Sequence, residues 1–461
     1  MDVTPLEETS RLAVAHCPGL LISTSARPSN RTITRPHLAR ILRALVVRPF
    51  GTQPLGKYSV GVAKGSGTSH DRGRRYINAS PPAVAPEESF RRSVDIRLEP
   101  PCVPKQNLVF LKTHKTASST ILNILYRYGE AHNLTFALPY YDHLGYPQRF
   151  KAEYVKHFTK THRGTFNILC NHMRFYHPEV KKVVPNDTFY FSIVRDPVWL
   201  AESSFAYYRF HSPAFSHAKS LDEFVAFPER HYRGLEPNNH YARNVMWFDF
   251  GHDNNMEDVP GYVDAVLAQL DRIFDLVLVA EYFDESLILL KEALCWDLED
   301  VAYFKLNTRS NDSVLPLSAS SVERLRAWNH LDWRLYRHYN ASLWRRISSY
   351  GAQRMESDVA RLKALSHRLA SRCLKSSFPG RVWDPGFMPH SSGKAKIQGY
   401  VLKVNLSNDD LELCQRMVLP EKQYLTYLQR KQLISRVTDT KHGGEGGEGR
   451  REMVPKMAAA P

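Results

Sequence analysis

The chain has 461 residues, of which 43% are apolar and 24% charged, and its formal net charge is +15. These values are typical of a globular protein and favour anionic ligands or surfaces. The sequence contains no RNA- or DNA-binding motif, so nucleic acid is not an expected partner. No apolar run reaches the roughly 18 residues that mark a membrane-spanning helix.

The two ends of the chain differ in composition from its middle. Residues 1–106 are rich in Ser, Gly, Pro and Arg and carry sixteen Lys and Arg against eight Asp and Glu. Such a composition with weak hydrophobic periodicity predicts a disordered arm or stem. A disordered tail is predicted over 436–461, where the stretch 441–461 is of low complexity. We therefore expect one folded domain over 107–435.

The most informative stretch is 108–128, LVFLKTHKTASSTILNILYRY. Its first four residues are a continuous apolar run, which is typical of a buried parallel strand. Its last part places Ile121, Leu122, Ile124 and Leu125 on one stripe of a helix. The turn between them would favour an anion, because the N–H groups at a helix start, the helix dipole and Ser/Thr hydroxyls all attract negative charge.

The candidate anion-binding residues of this turn each carry a positive charge or a hydroxyl donor: Lys112, Thr113, Lys115, Thr116, Ser118, Ser119 and Thr120. A nucleoside-triphosphate loop needs the pattern GxxxxGK[ST], and this turn has no glycine. The alternative interpretation is a Ser/Thr-capped helix that follows a core strand and binds nothing.

A second strand is predicted over 188–194, TFYFSIV, and ends before Arg195. Asp196 can cap the following helix, with Pro197 in its first turn. Arg195 therefore emerges at the carboxyl end of a strand, where open α/β sheets bind ligands. Ser203 lies about two helical turns further on and could complete a phosphate site with the arginine. The alternative is a surface Arg–Asp pair beside a capped helix.

A histidine follows a third predicted strand. Residues 166–171, FNILCN, form this strand, and His172 comes directly after it. We expect His172 at the same edge of the sheet as Arg195, because parallel strands end on one edge. An imidazole there could take the proton from a sugar hydroxyl. The alternative is a structural or surface histidine.

Further strand and helix patterns alternate through the rest of the chain. A strand is predicted over 275–281 with a helix directly after it, and other helices over 262–274, 320–347 and 352–373. This alternation predicts an α/β fold with a central parallel sheet flanked by helices. The six cysteines include no CxxC pair, so no zinc site is expected. They fit either scattered core thiols or one or two disulfides.

Seven motifs, in chain order, resemble those of the galactose-3-O-sulfotransferase family: LKTHKTASST, ILCNHMRF, NDTFYFSIVRDP, NVMWFDFG, EYFDESLILLK, CWDLEDV and YFKLN. The resemblance runs from about residue 107 to 427. It implies the P-loop-like fold of sulfotransferases that use 3′-phosphoadenosine-5′-phosphosulfate (PAPS). Within the family, HLGYP at 143–147 and NDTFYFS at 186–192 look most like members that act on glycoproteins.

The resemblance also implies roles for single residues. Lys112–Thr120 would bind the 5′-phosphosulfate of PAPS, with Lys115 as the catalytic lysine. Arg195 and Ser203 would bind the 3′-phosphate. His172 is the first candidate for the base that deprotonates the galactose 3-hydroxyl, and His114 is the second. No metal is expected in this scheme.

The expected activity is sulfation of the 3-hydroxyl of terminal β-galactose on a glycoprotein glycan or a glycolipid. Galactosylceramide as the main acceptor is the nearest alternative. More remote alternatives are a nucleotide kinase or NTPase, which would need the missing glycines, and a glycan-binding protein that has lost catalysis. The resemblance implies a Golgi membrane location with a lumenal catalytic domain, although no anchor is visible in this sequence.

Overall fold

A computed structural model describes residues 102–159, 164–376 and 379–442. Most of the predicted arm (residues 1–101) and the end of the predicted tail (443–461) lie outside these ranges. Within them, no helix is both long and apolar enough to cross a lipid bilayer.

Four parallel strands form the central sheet, in the order β2-β1-β3-β4. Their bounds are β1 Leu108–Leu111, β2 Ile168–Leu169, β3 Phe189–Val194 and β4 Leu276–Val279. Every residue of these strands is buried, which is why they are continuous apolar runs. A separate antiparallel pair consists of β5 Thr308–Arg309 and β6 Ile397–Gln398.

Helices surround the sheet. Those before β4 are α1 Ser118–Ala131, α2 His177–Val180, α3 Pro197–Tyr208, α4 Pro213–Ser216, α5 Leu221–Ala226, α6 Pro228–His231, α7 Val245–Asp249 and α8 Tyr262–Asp271. Those after it are α9 Phe283–Leu294, α10 Ala319–Trp328, α11 His330–Tyr350, α12 Ala352–Cys373, α13 Asn408–Val418 and α14 Glu421–His442. The predicted α/β class with a helix-flanked parallel sheet is confirmed.

Two predicted elements differ from those observed. The strand predicted over 166–171 is reduced to Ile168–Leu169, because only these two residues pair with β1, opposite Leu108 and Val109. The single helix predicted over 320–347 is divided at Asn329. There the side-chain amide donates to the carbonyl of Leu325 at 3.0 Å, which competes with continuation of the helix.

The predicted capping arrangement after β3 is confirmed. The Asp196 carboxylate accepts the N–H of Val198 at 2.8 Å, and Pro197 is the first residue of α3. This cap fixes where α3 leaves the sheet. It therefore determines which face of α3 lies at the carboxyl edge of the sheet.

Two disulfides are present among the described cysteines. Cys102 pairs with Cys295, Cys373 pairs with Cys414, and Cys170 is free and buried. Two disulfides were one of the predicted alternatives, and Cys17 lies outside the described residues. The Cys373–Cys414 bond joins α12 to α13 and so anchors the C-terminal helices.

Replacing Cys373 and Cys414 together by Ala should lower the free energy of unfolding by about 2–4 kcal/mol, because the cross-link restricts the unfolded chain. Denaturant unfolding measures this loss. Cys170→Ala is the matched control, since it removes a buried sulfur without breaking a cross-link. An equal loss of stability in both variants would contradict a specific contribution from the disulfide.

Candidate active site

A cavity of about 780 Å³ opens at the carboxyl edge of the sheet. The β1–α1 turn, His172 after β2, Arg195 after β3 and one face of α3 contribute to its walls. Residues from 306–314 and 389–399, around the β5–β6 pair, and the start of α14 complete it. The three stretches that sequence patterns singled out therefore meet at one site.

Nine of the predicted site residues line this cavity: Lys112, His114, Lys115, Thr116, Ser118, Ser119, His172, Arg195 and Ser203. Thr113 and Thr120 are buried behind the wall. The Thr113 hydroxyl donates to the carbonyl of Ile193 at 2.5 Å, and the Thr120 hydroxyl accepts the N–H of Leu306 at 3.1 Å. These two hydroxyls hold the turn against its neighbours, and anion binding by them stays a prediction.

The turn adopts its tight conformation without glycine. Lys115 and Ala117 have φ values of 59° and 65°, in the left-handed region. This region costs a residue with a Cβ about 1–2 kcal/mol. The hydroxyls of Thr116 and Ser118 both donate to the carbonyl of Thr113, at 3.2 and 2.7 Å. We attribute the stability of the turn to these hydroxyl bonds, which explains its richness in Ser and Thr.

Lys115 lies half-buried in the cavity wall, with its Nζ 3.7 Å from the centre of the Tyr207 ring. Burial and the nearby cations Arg309, Lys112 and Arg195 lower the pKa of Lys115 to about 7. The negative charge of a bound anion would favour the ammonium form and so raise this pKa. The site therefore gains positive charge as an anion enters.

Arg195 supports the turn from β3. Its Nη1 donates to the carbonyl of Lys115 at 2.9 Å, which leaves its other N–H groups for a ligand. Ser203 lies on α3, eight residues further on, and also lines the cavity. Trp199, Ser203 and Tyr207 are spaced four residues apart, so they share one face of α3. That face forms one side of the cavity.

His114 is held by a buried carboxylate. Its Nδ1 lies 2.9 and 3.0 Å from the two carboxylate oxygens of Asp249. Asp249 also accepts the backbone N–H of His114 at 2.8 Å and the Tyr146 hydroxyl at 3.0 Å. A carboxylate only accepts hydrogen bonds, so Nδ1 carries the proton and Nε2 is the nitrogen that can accept one.

His172 is stacked on His114, with ring centres 4.0 Å apart. Its Nδ1 donates to the carbonyl of Lys112 at 2.9 Å, and its Nε2 lies 2.7 Å from the Lys112 ammonium. Burial, His114 and Lys112 lower the pKa of His172 well below the ordinary value. His172 is thus a neutral imidazole that holds a lysine, whereas His114 has a carboxylate to stabilise an added proton.

Asp249 was not identified as a site residue from the sequence. It stands in the motif NVMWFDFG, 135 residues after His114. The only local signal is an acidic residue inside an otherwise apolar stretch. A buried carboxylate needs a partner, and this requirement could have singled it out.

Glu421 is a second residue that sequence reasoning missed. It begins α14 and lines the cavity. Its carboxylate lies 3.2 Å from the Lys112 ammonium and accepts the Ser119 hydroxyl at 2.9 Å. Two groups of the predicted anion turn are therefore engaged by an internal carboxylate. No local pattern could reveal a contact with Ser119 across 302 residues.

The C-terminal helices are fixed against α1 by a buried carboxylate on that helix, Glu130. Burial alone would raise the pKa of Glu130, but hydrogen bonds from Arg416 and Tyr427 lower it to about 2. Arg416 binds it through two nitrogens, each at 2.8 Å, and Tyr424 donates at 2.9 Å. This anchoring sets the position of Glu421, although α14 itself runs past the expected domain boundary at 435.

A fourth cation reaches the cavity from β5. Arg309 lines the wall and forms an ion pair with Glu202 of α3, which is almost fully buried. Glu202 also accepts the N–H of Leu315 at 2.9 Å. These contacts hold the segment after β5 beside α3. The segment contributes Val314 to the cavity wall.

The chemistry that this site supports is the handling of a multiply charged anion beside a base. Lys112, Lys115, Arg195 and Arg309 all face one cavity, with a carboxylate-supported imidazole in its wall. Among the described residues, no group of three or more His, Cys, Asp or Glu side chains is placed to hold a metal ion.

The chain is similar over most of its length to members of one enzyme family. The family model described as galactose-3-O-sulfotransferase matches residues 68–432. Galactose-3-O-sulfotransferase 2 from Homo sapiens is 51% identical over 333 residues, covering 70% of this chain and 83% of the relative. Galactose-3-O-sulfotransferase 4 from Homo sapiens is 41% identical over 409 residues, covering 72% and 84%.

A third relative bears on the nature of the acceptor. Galactosylceramide sulfotransferase from Homo sapiens is 42% identical over 356 residues, covering 76% of this chain and 83% of the relative. Its identity is lower than that of galactose-3-O-sulfotransferase 2. The comparison therefore does not favour galactosylceramide as the main acceptor.

Proposed function

The chain belongs to the galactose-3-O-sulfotransferase family, and from this premise we propose that its cavity transfers a sulfuryl group from PAPS to the 3-hydroxyl of a terminal β-galactose. The observation that carries the proposal is the joint placement of Lys115 and the His114–Asp249 pair at one cavity. Sulfuryl transfer needs a cation at the leaving oxygen and a base at the attacking hydroxyl. The nine predicted residues in the wall supply both.

The transfer is a direct in-line displacement. The base takes the proton from the galactose 3-hydroxyl, and that oxygen forms a bond to sulfur. The bond between sulfur and the oxygen that bridges it to the 5′-phosphate breaks. The products are the galactose 3-sulfate and adenosine 3′,5′-bisphosphate. Positioning and charge stabilisation supply most of the rate, by analogy with phosphoryl transfer.

Lys115 acts on the leaving group in this scheme. Its ammonium neutralises the charge that develops on the bridging oxygen, while the other groups of the turn bind the 5′-phosphosulfate. Arg195 and Ser203 bind the 3′-phosphate from the next strand and helix. PAPS carries two separate anionic groups, and these two sets of residues supply ligands for each of them.

His114 is the base that the contacts favour between the two candidates. A proton on its Nε2 would be stabilised by Asp249 across the ring, as in other His–Asp pairs. A proton on His172 would lie beside the Lys112 ammonium, which destabilises it. In this scheme His172 positions Lys112.

The acceptor is a galactose-terminated glycan, and we propose glycoprotein glycans ahead of glycolipids. The catalytic domain would reside in the Golgi lumen, and the two disulfides support an oxidising compartment. Membrane association remains a prediction from the family.

A labelled-donor assay tests the proposed function. The full chain is incubated with sulfur-labelled PAPS and a panel of β-galactosides that includes galactosylceramide. We expect label on glycan acceptors and none on matched acceptors whose galactose 3-hydroxyl is methylated. Transfer to the methylated acceptors would contradict attack by the 3-hydroxyl, and no transfer to any galactoside would exclude the function.

The contacts of Glu421 predict the behaviour of a charge-removing variant. Glu421→Gln should strengthen donor binding about five- to tenfold, because the donor no longer competes with a carboxylate for Lys112 and Ser119. Titration with adenosine 3′,5′-bisphosphate at pH 6 measures this, since Lys115 is then charged in both proteins. Glu356→Gln, at an exposed position of α12, is the control. Weaker binding by Glu421→Gln would show that the carboxylate assists the donor.

A further inference from the structure

An exposed indole faces the cavity from α3. Trp199 lines the cavity, and 44% of its surface is accessible. It lies one helical turn before Ser203 and two before Tyr207, on the same face. Because Lys115 Nζ contacts the Tyr207 ring, Tyr207 marks the end of that face where sulfate would leave. Trp199 lies at the opposite end, nearer the start of the helix.

A second exposed apolar side chain lines the same cavity. Val314 lines the cavity with 43% of its surface accessible. The next residue, Leu315, donates its N–H to Glu202, which is three residues after Trp199 on α3. The Arg309–Glu202 ion pair fixes the same segment. Trp199 and Val314 therefore come from two elements, α3 and the segment after β5, that are tied together at Glu202.

We propose that Trp199 stacks on the adenine base of the donor, with Val314 closing the apolar slot. This rests on the proposed function, since the donor is the one assigned there. Solvent-facing indole and isopropyl groups gain nothing from packing in the empty cavity, whereas a flat base would bury them. The anion turn and Arg195 hold the phosphates, which leaves the apolar end for the only apolar part of the nucleotide.

The position of the slot agrees with the order of the donor's groups. The sulfate and 5′-phosphate lie at Lys115, the 3′-phosphate at Ser203 in the middle of the face, and the base one turn beyond. Affinity that comes from base–aromatic stacking is lost when the aromatic ring is removed, and it is largely kept when one aromatic ring replaces another. Trp199 is therefore expected to act on donor affinity and not on the transfer step.

The test compares four proteins: wild type, Trp199→Ala, Trp199→Phe and Trp344→Ala. Trp344 on α11 is the matched control, because 44% of its surface is also accessible and it does not line the cavity. Binding of adenosine 3′,5′-bisphosphate is titrated by calorimetry. Trp199→Ala should weaken it about 10- to 100-fold, while the other two variants stay within about threefold of wild type.

Comparison with ribose 3,5-bisphosphate, a ligand without the base, measures the contribution of stacking to binding affinity. Wild type should prefer the nucleotide over this ligand, and Trp199→Ala should lose most of that preference while its kcat at saturating donor stays within about threefold. Unchanged nucleotide affinity in Trp199→Ala, or a rise in the KM for the galactoside instead, would overturn the proposal. Failure of the proposed function is distinct, since wild type itself would then transfer no sulfate.

Discussion

Replacing Lys115 by Ala is expected to lower kcat about 10²- to 10³-fold while the protein stays folded, because the charge on the leaving oxygen loses its counter-ion. Single-turnover transfer from labelled PAPS at saturating donor measures the loss. Lys363→Ala is the control, since this lysine lies on the surface and pairs with Asp284. A rate for Lys115→Ala near that of wild type would remove Lys115 from the mechanism.

The pH dependence of donor binding is a second test of the role of Lys115. Its pKa in the empty site is about 7, so the lysine is charged below that pH and neutral above it. Donor affinity of the wild type should therefore fall as pH rises from about 7 to 8.5, a range in which the donor phosphates are already largely ionised. The fall ends where pH reaches the higher pKa that Lys115 has in the complex.

Two variants separate this effect from other titrations. Lys115→Arg keeps its charge throughout the range and should show donor affinity that does not change between about pH 7 and 8.5. Lys115→Ala should bind more weakly and also without pH dependence. The same fall in affinity in all three proteins would assign the titration to another group.

The sequence predicts the parts of this site that depend on local pattern. Leu108–Leu111 and Phe189–Val194 are apolar runs that are buried on both faces, so their identity as parallel strands is readable from composition. Given parallel strands, the residues that follow them must meet at one edge of the sheet. Lys115, His172 and Arg195 could be brought together by this reasoning alone.

The remaining parts depend on contacts between distant residues. Asp249 reaches His114 across 135 residues, and Glu421 reaches Ser119 across 302. Neither carboxylate has a spacing that marks it, because each is carried by a helix that is distant in the sequence from the anion turn. Which of His114 and His172 is the better candidate base also depends on such contacts, since only their hydrogen-bond partners distinguish the two imidazoles.

The helix boundary at Asn329 is another feature that depends on a contact between distant residues. The apolar pattern over 320–347 is compatible with one helix, and the break comes from a side chain that binds both the Leu325 carbonyl and the N–H of Asn244. Hydrophobic periodicity does not register such a bond. The contact with Asn244 also links α10 and α11 to the segment before α7, which carries Asp249.

A second prediction, with a large loss of kcat, concerns the stacked histidines. His114→Gln is expected to lower kcat about 10²- to 10⁴-fold with donor affinity within about threefold of wild type, because only proton removal from the acceptor is lost. Asp249→Asn should produce a loss of similar size by favouring the wrong tautomer of His114. Pre-steady-state transfer and titration with adenosine 3′,5′-bisphosphate measure the two quantities separately.

His172→Ala is the matched comparison, since it removes the other ring of the same stack. It should raise the donor Kd, because Lys112 loses the imidazole that holds it at 2.7 Å, and it should reduce kcat far less than His114→Gln does. Denaturant unfolding of each variant separates loss of the buried Asp249 contacts from loss of catalysis. If His172→Ala binds donor normally and loses turnover while His114→Gln retains it, the base is His172. The Asp249–His114 pair then only shapes the wall of the cavity.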